Sequence, residues 1–239
     1  FEAGSFSETT TASFSADMMI GVLDDQDVGG SVYDDNVMTG YSFQIDLNTS
    51  FTGEDSLDIS LDAGNAGSEG IAEFDGNSGG DALTVDGVSY TFPVGDKTTV
   101  IVGIDTDGSA LFTTSCVYGG PGNMLDDCAN VNAGITGGGA TVGASYDFGS
   151  GLTAAFGAQT TEASVFTEES ADAYALNAAY TADSYGISLT YGVVEATTAA
   201  GALTDEDNKF TAVNAYYTPE GSLPSISVGY EFGDIGGAA

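Results

Sequence analysis

Apolar and polar side chains alternate with a period of two along almost the whole chain, and that pattern admits little besides β-strands. From Ala12 the even positions read Ala12, Phe14, Ala16, Met18, Ile20 and Val22, with Ser13, Ser15 and Asp17 between them. Tyr41, Phe43, Ile45, Leu47 and Phe51 then alternate with Ser42, Gln44, Asp46, Asn48 and Ser50. Leu57, Ile59 and Leu61 alternate with Asp58, Ser60 and Asp62. The same dyad returns at 90–94, 100–104, 140–148, 152–158, 174–180, 185–193, 213–217 and 226–232. That makes about eleven strands, and no stretch reads as a helix.

The connections alternate too. Short turns fall at Thr52–Asp55, Gly95–Lys97, Gly149–Gly151, Thr181–Ser184 and Thr218–Pro224. Long polar segments lie at Asp24–Val37, Gly64–Ala82, Asp105–Gly139, Thr161–Ala173 and Val194–Asn208. Turns at one end and loops at the other describe an antiparallel up-and-down meander, the form of a transmembrane β-barrel. Leu111–Thr114 and Ile71–Phe74 are candidates for a further strand. Alternation alone leaves a soluble sandwich open, because it does not say which face meets water. Three features favour the membrane. The dyad is equally clean in strand after strand. Aromatics recur near strand ends, at Tyr41, Phe51, Tyr90, Phe92, Tyr146, Phe148, Tyr180, Tyr185, Tyr217, Tyr230 and Phe232, as interfacial girdles require. Small residues fill the opposite face, as a lumen that stays open would need.

Charge narrows the function. Of 239 residues only Lys97 and Lys209 are basic, 36 are acidic and none is His, giving a net charge of −34. Phosphate clamps and nucleic-acid grooves have nothing to be built from, and imidazole catalysis is excluded. Paired carboxylates such as Asp46 with Asp58, or Asp58 with Asp62, could run glycoside hydrolysis in principle, but no Trp, Arg or His surrounds them. The reading is therefore not an enzyme. With 42% hydrophobic residues, 13 Phe and 12 Tyr, the chain is folded despite its charge. No apolar run of about 18 residues is present to make a transmembrane helix. Cys116 and Cys128 are too few for a zinc site without His, and they read as a disulfide stapling one loop in an oxidising compartment.

By opposition to the apolar sets, the pore-lining candidates are Asp17, Gln44, Asp46, Asn48, Asp58, Asp62, Asp147, Gln159 and Asn177. Acidic groups without basic partners on a pore wall favour cations, although a salt-screened lining would select little. Other acids cluster in the loops. Asp24, Asp25 and Asp27 form one cluster, and Asp105-Thr106-Asp107-Gly108 is a fragment of a calcium loop without its later ligands. These are expected to be solvated tips that share divalent cations such as calcium loosely with lipopolysaccharide. No cofactor is expected.

Several segments resemble a known family: Leu47–Asp55 (LNTSFTGED) followed by Leu61–Asn65 (LDAGN), Tyr90–Lys97 (YTFPVGDK), Pro224–Tyr230 (PSISVGY), and the opening FSETTTASF from Phe6. They are similar to the barrel of cyanobacterial porins of the iron-uptake type, related to carbohydrate-selective porins. The resemblance implies an outer-membrane channel, monomeric or a homotrimer, in contact with lipid and lipopolysaccharide. Such a channel passes small hydrophilic solutes and inorganic ions, iron among them. It also implies that 1–239 is the barrel domain, preceded by a signal peptide, a surface-layer-homology domain and a coiled coil, and part of a larger barrel of about sixteen strands. Two readings of other classes stand beside it: a secreted or surface-layer acidic β protein that builds filaments or sheets, and a soluble carbohydrate-binding sandwich.

Overall fold

A computed structural model describes residues 9–23, 26–28, 31–33, 36–66, 76–77, 80–117, 128–136, 139–160, 171–197 and 203–236. Its strands are β1 (Thr10–Leu23), β2 (Gln26–Val28), β3 (Ser31–Tyr33), β4 (Asn36–Thr49), β5 (Ser56–Gly64), β6 (Gly80–Val94), β7 (Thr98–Ile104), β8 (Ala140–Gly149), β9 (Leu152–Thr160), β10 (Asp172–Thr181), β11 (Tyr185–Thr197), β12 (Leu203–Tyr217) and β13 (Ile226–Asp234). Eleven of them follow one another in a single up-and-down order, β1-β4-β5-β6-β7-β8-β9-β10-β11-β12-β13, while β2 and β3 pair only with each other. The expected barrel is thus seen as an open antiparallel order. Among the described residues no ladder joins β1 to β13.

Several expectations need correction. Leu111–Thr114 is not a strand, and Ile71–Phe74 lies outside the described residues. The stretch Val194–Asn208, expected as a loop, is largely strand, because β11 runs to Thr197 and β12 starts at Leu203. Its polar side chains obscure strand-forming backbone. The loop Asp24–Val37 likewise contains the β2–β3 hairpin.

The chain divides into two compact units, Phe1–Val88 with Gly120–Asp126, and Ser89–Gly119 with Asp127–Ala239. In the first, β1 pairs with β4 from Thr10↔Thr49 to Leu23↔Asn36, and β4 pairs with β5 from Thr49↔Leu57 to Ser42↔Gly64. The β4–β5 turn is organised by one carboxylate. Asp55, buried, accepts from the Thr52 N–H (2.7 Å), the Phe51 N–H (3.0 Å) and the hydroxyls of Ser50 (2.8 Å) and Thr52 (2.7 Å). Gly53 takes the φ of +89° that the turn requires.

In the second unit the hairpins are tight. Gly149 pairs with Leu152, leaving Ser150-Gly151 as a two-residue loop with φ of +57° and +84°. Both central residues are left-handed, as in the type I′ turn whose twist matches the flanking strands. Serine is the weaker residue for the first position. The conventional core is slight: Ala133, Phe210 and Ala212 form one small cluster, and Ile135, Ala173 and Ala175 another.

Two outcomes are expected. Asp55→Ala removes the acceptor from two amides and two hydroxyls and should lower stability by about 2 kcal/mol, read from chemical unfolding in detergent. Ser150→Asn creates the Asn-Gly pair favoured in type I′ turns and should raise stability by about 0.5 kcal/mol, visible as a higher thermal midpoint.

Candidate channel face

In the first unit the polar sides of β1, β4 and β5 line up in rows. Ser13, Asp46 and Ser60 share one row, and Thr11, Asn48 and Asp58 share another. Asp46 accepts from Gln44 Nε2 (2.7 Å), Ser60 Oγ (2.8 Å) and Ser13 Oγ (3.4 Å). Asn48 Nδ2 donates to Asp58 Oδ1 and Ser56 Oγ, both at 2.6 Å. Asp62 accepts from Thr84 Oγ1 at 3.1 Å, and Asp17 stands exposed opposite Ser42. Amides and hydroxyls thus hold the carboxylates of Asp46, Asp58 and Asp62, and no basic group pairs with any of the four in these bonds.

The second unit shows which face is covered. On one side of β8–β13 the large apolar residues are uncovered: Phe156 is 42% exposed, Leu176 58%, Leu189 49% and Tyr230 65%. With roughly half of each large side chain bare, this face presents on the order of 1,500 Å² of apolar surface. That is several times the ~300–600 Å² of the largest patch on a soluble monomer. Aromatics sit at both of its ends. At the turn end stand Tyr146 and Phe148 (ring centroids 4.8 Å apart), Tyr180 and Tyr185 (5.9 Å) and Tyr217. At the loop end stand Tyr174, Tyr191, and Tyr230 with Phe232 (5.3 Å). Aliphatic residues such as Leu176, Ile187, Leu189 and Val213 lie between. A nine-residue strand such as β9 rises about 30 Å, and tilted by ~40° it covers about 23 Å, close to the ~25 Å apolar band of an outer-membrane barrel.

The opposite side of the same strands is mostly small and polar, with Phe210 and Tyr216 the large exceptions on β12, and much of it is buried under the chain itself. The described parts of the stretch between β7 and β8, expected as a loop, lie across it. Gly108 N–H donates to Gln159 Oε1 (2.8 Å), Thr113 N–H to Asn177 Oδ1 (3.0 Å), Ser115 N–H to Ser188 Oγ (2.9 Å) and Val117 N–H to Ser227 Oγ (2.9 Å). On the returning limb, Asn214 Nδ2 donates to the Cys128 carbonyl. Glu231 accepts from the Asn132 N–H (3.0 Å), Asn132 Nδ2 (2.7 Å) and the Ala133 N–H (3.3 Å). The Cys116–Cys128 disulfide joins the two limbs, with their Cα atoms 6.2 Å apart. Glycine on the sheet permits the approach: a Cβ at Gly157 would collide with the Gly108 carbonyl, and one at Gly229 with the Cys128 carbonyl.

The expected site residues therefore separate. Asp17, Gln44, Asp46, Asn48, Asp58 and Asp62 stand on the polar rows of the first unit. Asp147, exposed beside a hairpin, accepts the Gly149 N–H at 2.7 Å. Gln159 and Asn177 lie on the polar face of the second unit, yet they are 3% and 4% exposed and hold the covering segment. Asp105 also has a local task, accepting the Gly139 N–H at 3.1 Å where the segment leaves and rejoins the sheet. Asp107 begins the turn in which the Ala110 N–H meets its carbonyl at 3.1 Å. Asp24 and Asp25 lie outside the described residues, as does the side chain of Asp27. Ser188, Asn214, Ser227 and Glu231 were not anticipated. Asn214 beside Ala212 and Glu231 between Gly229 and Gly233 carry a signal, a longer hydrogen-bonding side chain next to small ones on the same face, whereas Ser188 and Ser227 carry none.

No protein-family model matches the chain, and no curated protein matches it. Among solved structures it is similar to the outer membrane channel DcaP of Acinetobacter baumannii. The two share 15% identity at a TM-score of 0.45, covering 98% of this chain and 82% of that one.

Proposed function

We propose that this chain is an outer-membrane channel for the passive diffusion of small hydrophilic solutes and inorganic ions, with a preference for cations. One observation carries the reading: across β8–β13 most of the large apolar side chains are bare, Phe210 excepted, while most of the small and polar ones are covered. A water-soluble sandwich needs the reverse, because hydrophobic burial is what drives it to fold. Lipid satisfies a bare apolar face, and two aromatic belts suit its two interfaces. The polar faces then line the bore. Acidic rows around Asp46, Asp58 and Asp62, in a protein with only two basic residues, lower the energy of a cation inside it. The sequence resemblance extends the cargo to iron.

Residues 105–117 and 128–136 have a part in this reading. Seated on the polar face, they narrow the bore, and Glu231 holds the second of these limbs through the amides of Asn132 and Ala133.

The test is reconstitution. Detergent-purified protein added to a planar bilayer should give stepwise conductance, and a KCl gradient should give a reversal potential of the sign for cation preference. An anion-selective reversal would sink the cation preference. A protein that extracts from cells with chelator or salt alone, and never forms channels, would favour the surface-layer reading. Glu231→Ala should raise single-channel conductance by roughly 1.5-fold or more, since the segment loses the acceptor for three donors. An unchanged conductance in a folded variant would show that the segment does not set the bore.

A further inference from the structure

We infer that the outward face at the loop end of β10–β12 holds a divalent cation of the calcium class, bound by Asp172 and Glu195 with Asp207 beside them. Ala173 pairs with Val194, which brings Asp172 opposite Glu195, and Glu195 pairs in turn with Asp207. Alternation places the three carboxylates on the side of Tyr174, Tyr191 and Phe232, just beyond that aromatic belt. Glu195 Oε2 accepts the Asp172 N–H at 3.0 Å, and Asp172 Oδ2 accepts the Tyr174 hydroxyl at 3.3 Å. The other oxygen, Asp172 Oδ1, is buried with no hydrogen-bond partner, in a residue only 4% exposed.

Two costs meet at this row. Like charges on neighbouring strands repel, and a buried anionic oxygen without a donor loses its hydration uncompensated. The nearest base in register, Lys209, lies on the same side of β12 as Asp207, between Val193 and Asp234 in the ladder. A hard divalent cation removes both costs, taking carboxylate oxygens from the protein and the rest of its shell from water. Among the described residues no three acidic side chains converge into a finished cage. The affinity expected is therefore that of an open site, about 10⁻⁴–10⁻³ M. This inference stands without the channel reading, since it needs only the register and the orphan oxygen.

Whole protein in detergent, stripped with EDTA, is titrated with CaCl₂ at constant ionic strength while thermal unfolding is followed. The wild type should show a saturable rise in midpoint with a half-point between about 0.1 and 1 mM. Asp172→Asn and Glu195→Gln should each abolish that rise or move its half-point at least tenfold. Asp96→Asn, in the β6–β7 turn, should leave it intact and so separates the site from diffuse binding to an acidic protein. Without calcium, Asp172→Asn should be at least as stable as the wild type, because it removes the orphan charge. A wild type without a saturable response, or variants that keep the full response, overturns the inference.

Discussion

The strands from β8 to β13 send most of their bulk to one side and most of their hydrogen-bonding capacity to the other, and the rest of the second unit depends on that division. A face of Gly, Ala, Ser, Thr and Asn has little surface to bury for its own stabilisation. It can, however, receive a polypeptide backbone closely and satisfy its amides. Residues 105–117 and 128–136 supply that backbone. Their Phe112 and Ile135 pack on Ala173 and Ala175, and their amides find Gln159, Asn177, Ser188, Ser227 and Glu231. Most of the buried polar groups between the two layers are paired in this way, while Ser115 Oγ, Asn130 Oδ1 and Asn214 Oδ1 are buried without a hydrogen-bond partner. The large apolar side chains of the other face take little part in a core and stay exposed, whereas Phe210 on the covered face is buried.

The ladder of the sheet was largely legible. Alternation at Tyr174–Tyr180 or Tyr185–Val193 carries its own register, because a slip of one residue would move Leu176 or Leu189 to the wrong face. The short turns were equally clear, since Ser150-Gly151 and Thr52–Asp55 carry turn chemistry in their residue types. The limits were physical. β12 starts at Leu203 in a run, TDEDNK, whose acids and amide conceal a strand that extends beyond the apolar band. Alternation reports a contrast between faces, and past the band both faces are polar.

The covering segment was hidden for a different reason. Residues 105–117 have no periodicity, because isolated turns and bonds to the sheet hold them in place of a regular ladder. Small residues at Ala155, Gly157, Ala173 and Ala175 read as the wall of an open lumen. A surface kept small for water and one kept small for a second layer of chain have the same composition. Gln159 and Asn177 were visible as polar positions, but their partners Gly108 and Thr113 lie 51 and 64 residues earlier, and no local pattern links them.

Those separations also bear on the order of assembly. Val117 is bonded to Ser227, 110 residues later, and Asn132 to Glu231, 99 residues later. The amides of Asn132 and Ala133 therefore lack their Glu231 acceptor until β13 has joined β12. Contacts so distant in sequence are slow to form, because loop closure comes before any reward. The seating of this segment is thus a closing step that reports on the completion of the whole second unit: a chain lacking β13 would form most of the same ladder and still leave this stretch of backbone without a place to rest.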